Sequence, residues 1–69
     1  MVEVFKTDVY EVAEAKKILS LLHVHFPGSK INFDLEDCDK VLRIEGKDIV
    51  ASKVRTLITK QGFICTELE

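Results

Sequence analysis

The stretch Lys30-Ile31-Asn32-Phe33-Asp34-Leu35-Glu36 alternates apolar and polar side chains without a break, and no other feature constrains the fold as tightly. A period of two places Ile31, Phe33 and Leu35 on one face of a strand and Asn32, Asp34 and Glu36 on the other. Asp37-Cys38-Asp39-Lys40 has the composition of a turn, and Val41-Leu42-Arg43-Ile44-Glu45 resumes the alternation. The middle of the chain therefore reads as an antiparallel hairpin with one apolar face.

Each flank adds a helix and a strand. On the N-terminal side, Val2-Glu3-Val4-Phe5-Lys6 alternates from Val2 and reads as a strand with one buried face. Asp8-Val9-Tyr10-Glu11 has the form of a capping box, with Asp8 as N-cap and Glu11 reaching back. Beyond it Val12, Ala15, Leu19, Leu22 and Phe26, widened by Ile18, recur at three- and four-residue steps, which predicts an amphipathic helix from Val9 to near His25. Pro27-Gly28 stops it.

On the C-terminal side, Gly46-Lys47-Asp48 is a turn with Asp48 as the expected N-cap. Ile49 or Val50, Val54, Leu57, Ile58 and Gln61 trace a second amphipathic helix, with Lys53, Arg55 and Lys60 pointing away. Gly62 sits where a C-terminal cap is expected, and Phe63 to Leu68 reads as a last strand.

The order strand, helix, strand, strand, helix, strand is the split βαβ arrangement. It predicts an α+β, ferredoxin-like βαββαβ two-layer sandwich, a four-stranded antiparallel sheet with two helices on one face. With 69 residues, the whole of 1–69 forms one domain, near the lower size for an unstapled core. Strands two and four become sheet edges. The outer face is expected to carry Glu3 and Phe5 from the first strand, Asn32, Asp34 and Glu36 from the second, and Arg43 and Glu45 from the third.

Composition narrows the function classes. A net charge of −2, from 10 basic and 12 acidic residues scattered along the chain, creates no basic field to gather phosphate, so nucleic acid is not an expected partner. The longest apolar runs are broken by Ser20 and His23, well short of a membrane span. Glu3 and Lys6 interrupt any leader-like segment at the N-terminus, and a cytoplasmic location is the expectation. Cys38 and Cys65 have no Cys or His at metal-ligand spacing, and both are expected to be reduced thiols.

Several pieces together resemble the heavy-metal-associated domain of copper chaperones and metal-transporting ATPases. They are Val2-Glu3-Val4, Phe26-Pro27-Gly28, Ile31-Asn32-Phe33-Asp34-Leu35, Val41 through Gly46, and Lys60-Gln61-Gly62-Phe63. The resemblance covers nearly the whole chain and implies the same ferredoxin-like fold. That family's chemistry resides in a Met-x-Cys-x-x-Cys loop between the first strand and the first helix, where two thiolates hold a soft ion. Here the corresponding residues are Thr7-Asp8-Val9-Tyr10-Glu11-Val12. Counted forward from Val4, the cysteine positions fall on Val9 and Val12; counted back from Pro27-Gly28, the second falls on Ala15. Aliphatic side chains do not coordinate metals, so the family's transfer mechanism has no thiolate pair to use.

The remaining metal-ligating candidates are His23, His25 and Cys65. An i, i+2 spacing on a helix points the two imidazoles to different faces, and the plain expectation is one ring on the C-terminal carbonyls and one in water. Cys65 reads as a small apolar strand residue. Asp34, Glu36, Asp37 and Asp39 lack the Gly and terminal Glu of a calcium loop and read as a solvated hairpin rim. No nucleophile elbow, phosphate loop or sequence-adjacent His–carboxylate pair points to catalysis, and no cofactor is expected.

The sequence thus leads to a small non-enzymatic binding or assembly module, a heavy-metal-associated-like domain without its thiolate site. A protein partner or a second copy is expected at an edge strand or at the second-helix face, with Tyr10, Lys53 and Lys60 as the interaction candidates. The alternative expectation is a metal or amino-acid-type small-ligand sensor, since regulatory domains of this topology bind ligands between two copies.

Overall fold

The computed structural model describes residues 1–68. Its elements follow the expected order: β1 (Val2–Thr7), α1 (Val12–His25), β2 (Lys30–Asp34), β3 (Val41–Glu45), α2 (Ala51–Lys60) and β4 (Cys65–Glu67). The sheet order is β2-β3-β1-β4 and every pairing is antiparallel. The chain has the ferredoxin-like βαββαβ fold, with β2 and β4 at the edges. Phe5, Leu42 and Ile44 from the sheet join Ile18 and Leu22 from α1 and Val54 and Ile58 from α2 in one core. Burying eight side chains almost completely, Val9 among them, is the main source of stability in a chain this short.

The first strand has the opposite parity to the one its alternation predicts. Phe5 pairs with Leu42 and Glu3 with Ile44, so both lie on the helix-covered side, and Phe5 is fully buried. Val2 and Val4, opposite Glu45 and Arg43, lie on the open sheet face instead. One buried phenyl ring outweighs two partly covered valines, and Thr7, two residues on, is buried on the same side. Among the described strand residues no aromatic side chain stands on the open face.

Neither expected helix cap forms. Helix α1 starts at Val12 with an extended Glu11 before it, and α2 starts at Ala51 after an extended Val50; neither cap residue makes a side-chain bond. The Glu11 and Val50 carbonyls open the helical ladders, accepting from Ala15 and Val54 at 3.0 and 3.1 Å. Val12, expected on the buried stripe, is 61% exposed, and Val9 fills the core in its place. The exit from α2 follows expectation: Gly62, at φ +91°, donates to the Thr59 carbonyl while Phe63 donates to that of Ile58. This is a Schellman turn, whose left-handed position favours glycine.

Candidate functional site

The loop between β1 and α1 carries Val9 and leads into Val12, two of the positions compared above with a metal loop. Its residues are engaged one by one. The Thr7 hydroxyl, buried, donates to the Lys40 carbonyl at 2.6 Å and accepts from the Val9 N–H at 3.2 Å. Asp8, expected to cap α1, accepts instead from the Ile64 N–H at 2.7 Å. The Thr7 N–H donates to the Asp39 carbonyl at 3.0 Å, and Lys6 pairs with the Asp39 carboxylate at 3.5 Å. The loop is thereby fastened to the β2–β3 turn and to the α2–β4 turn.

Val9, one of the two cysteine positions by the forward count, is completely buried, whereas Val12 is on the surface. With either count the residues at these positions are aliphatic, while Thr7 takes the Val9 N–H and the Lys40 carbonyl and Asp8 takes the Ile64 N–H. This pole is closed to metal chemistry of the thiolate-pair kind. What it offers outward is apolar: Tyr10 is 69% exposed and Ile64, held beside the loop by Asp8, is 65% exposed.

The other candidates are dispersed. His23 Nδ1 pairs with the Leu19 carbonyl at 2.9 Å, one helical turn back. His25 is exposed and borders an open groove of about 670 Å³ formed with Phe26, Ser29, Gly46 and Asp48. Cys65 lies on β4 opposite Thr7, where burial pushes its thiol up to about 11 against a smaller opposing pull from Arg55. With Arg55, Thr59 and Lys60 it borders a second groove of about 400 Å³. Thus Cys65 and Lys60 share a groove, and His25 borders the other.

Lys53 has an assigned contact that sequence reasoning missed. Its ammonium lies 5.6 Å from the centre of the Phe26 ring, a cation–π placement at the end of α1. The pairing joins residues 27 positions apart on different helices, which no local pattern encodes.

Asp37, Cys38 and Asp39 place three potential donor atoms within 4.8 Å of one another. Asp37 already accepts from the Asp39 N–H at 2.8 Å, and Asp39 faces Lys6, so the cluster has a structural explanation as the hairpin turn. On β1, beside β4, Glu3 has its pKa raised, chiefly by hydrogen bonding to Glu67, then by burial and by the like charge of the same carboxylate. Comparison with family models, with curated proteins and with solved structures finds no match to this chain. Among the described residues no helix is long and apolar enough to cross a membrane.

Proposed function

We propose that this protein is a small non-enzymatic binding or assembly module, a heavy-metal-associated-like domain whose thiolate loop is replaced by a fastened structural loop. The observation that carries the reading is the closed pole: Thr7, Asp8 and Val9 occupy the place of a metal site with two side-chain-anchored bonds to other loops and one fully buried aliphatic. A fold that retains its frame, lacks the family's donors and presents free sheet edges is suited to holding another chain. The Tyr10 ring beside that pole, Lys60 and the two edges are the contact surfaces it offers. A cytoplasmic location and the absence of nucleic acid and cofactor belong to the same reading.

The test is assembly. Sedimentation velocity and cross-linking of the pure chain, with affinity capture from its host extract, should give a defined complex with itself or with one protein. A strict monomer that retains nothing would overturn the module reading. Under reducing conditions, Cu(I) and Zn(II) titrations should show no saturable site involving His23, His25 or Cys65.

One observation favours a second reading, small-ligand sensing. The groove of about 670 Å³ brings His25, Asp48 and Lys47 around an opening beside Pro27-Gly28. A thermal-shift panel of amino acids and metals separates the two readings, because a ligand that binds only the native state raises its melting temperature.

A further inference from the structure

We infer that the chain pairs with a second copy of itself along β2, antiparallel and centred on Asn32, an inference that rests on the module reading and names its partner. Strand β2 is a sheet edge: β3 lies on one side of it, and every second residue points its N–H and C=O away from β3. Among the described backbone contacts outside the ladders, none engages Ile31, Asn32 or Phe33.

The residues of this edge are complementary to themselves. Read as Lys30-Ile31-Asn32-Phe33-Asp34, an antiparallel copy centred on Asn32 sets Lys30 against Asp34 of the second copy, Ile31 against its Phe33, and Asn32 against its Asn32. The two charges are exposed, and among the described residues neither enters an ion pair within the chain. Each end of the joint therefore acquires an opposite-charge cross-strand pair. On the same row Glu45 of β3 lies opposite Lys30, so charge alternates in sign from Glu45 through Lys30 to Asp34 of the second copy.

The other face gains apolar cover. Ile31 and Phe33 pack against the core but are only half-buried, and the second copy's Phe33 and Ile31 would cover the side that faces solvent. A slip of one residue sets polar against apolar side chains across the joint. A slip of two carries Lys30 or Asp34 past the end of the partner strand, which closes at Lys30 and Asp34. A twofold axis normal to the sheet keeps all four helices on one side, producing a closed dimer with a continuous eight-stranded sheet.

The opposite edge is unsuited to this. Strand β4 has three residues, and its Glu67 already sits with Glu3, which raises the Glu3 pKa. Self-pairing there would gather four carboxyl groups at one joint.

Because a five-residue edge buries far less than a standard interface, the dimer is weak and concentration-dependent. Sedimentation equilibrium of the whole chain from about 1 µM to about 1 mM covers the range in which such an interface half-assembles. Lys30→Asp sets carboxylate against carboxylate at both ends of the joint, and Asp34→Lys sets ammonium against ammonium. Each variant alone should dimerise roughly ten- to a hundredfold more weakly than the parent. An equimolar mixture of the two should recover the association as a one-to-one heterodimer, since each end then joins opposite charges.

Circular dichroism melts should show that both variants fold, and recovery in the mixture would show it directly. A mixture no stronger than either variant alone overturns the inference, as does a parental dimer that both substitutions leave unchanged. A parental monomer that still captures a host protein also overturns it, while the module reading stands; a monomer that captures nothing overturns both.

Discussion

The two ends of the sheet are closed by different means. At one end, the β1–α1 loop is held by side chains: Thr7 reaches Lys40 and Asp8 reaches Ile64. At the other, the turn after β3 is held by backbone and by the lack of a side chain. Gly46 donates its N–H to the Met1 carbonyl at 3.0 Å, and a Cβ there would lie 2.6 Å from Ser29 Oγ. The first end is polar, specific and closed, while the second leaves an open groove beside it. The difference teaches that a strand-to-helix loop can be closed by its own side chains: here three consecutive residues, Thr7, Asp8 and Val9, fill the pole and take the Lys40 carbonyl and the Val9 and Ile64 N–H groups.

The sharpest way to break this comparison is Thr7→Val, which keeps the volume and removes the hydroxyl. It leaves the Lys40 carbonyl and the Val9 N–H without their partner in a buried place, and should cost about 2 kcal/mol in urea unfolding. A cost near zero would mean that water replaces the hydroxyl and that the pole is not closed. Second in size is the shielding of Cys65, opposite Thr7 on β4. Its thiol, pushed to about 11 by burial, carries little thiolate at pH 8, so alkylation there should run at least about tenfold slower than in the denatured chain. The sign follows from the raised pKa: the native state holds this proton more tightly, so its contribution to stability is intact below the unfolded value and declines as pH rises toward 11.

Gly46→Ala probes the opposite end and should cost about 1 kcal/mol, because Ser29 and Ile49 crowd the new methyl group. Since the nearest atom belongs to a side chain, Ser29→Gly in the same chain should recover most of that loss. The smallest effect is expected at Tyr10→Ala. With 69% of the residue exposed, stability should change by less than about 0.5 kcal/mol, so any accompanying loss of complex formation would report a contact made by the ring.

The hairpin and both helices are legible in the sequence because each rests on a local period, two for Ile31, Phe33 and Leu35 and three to four for Ala15, Ile18 and Leu22, and the sheet order then follows from the order of the elements and the handedness of their crossovers. Where local signals compete, the larger buried group decides. Val2-Glu3-Val4 spells one parity and Phe5 with Thr7 the other, and the phenyl ring wins. The site was harder to read. Asp8 and Glu11 have the spacing of a capping box, yet the Asp8 carboxylate is committed to the Ile64 amide, 56 residues away, and nothing near Asp8 announces that partner. Lys53 over Phe26 is hidden for the same reason. The absence of thiols in the loop, by contrast, is visible at once, and it excludes the thiolate-pair mechanism without reference to geometry.

That bond between Asp8 and Ile64 also has a kinetic meaning. Its ends lie 56 residues apart, and they meet only when β4 is in register beside β1, with Thr7 opposite Cys65. The Ile64 amide therefore reports on the docking of the C-terminal strand: it should lose its protection from hydrogen exchange whenever β4 detaches from β1.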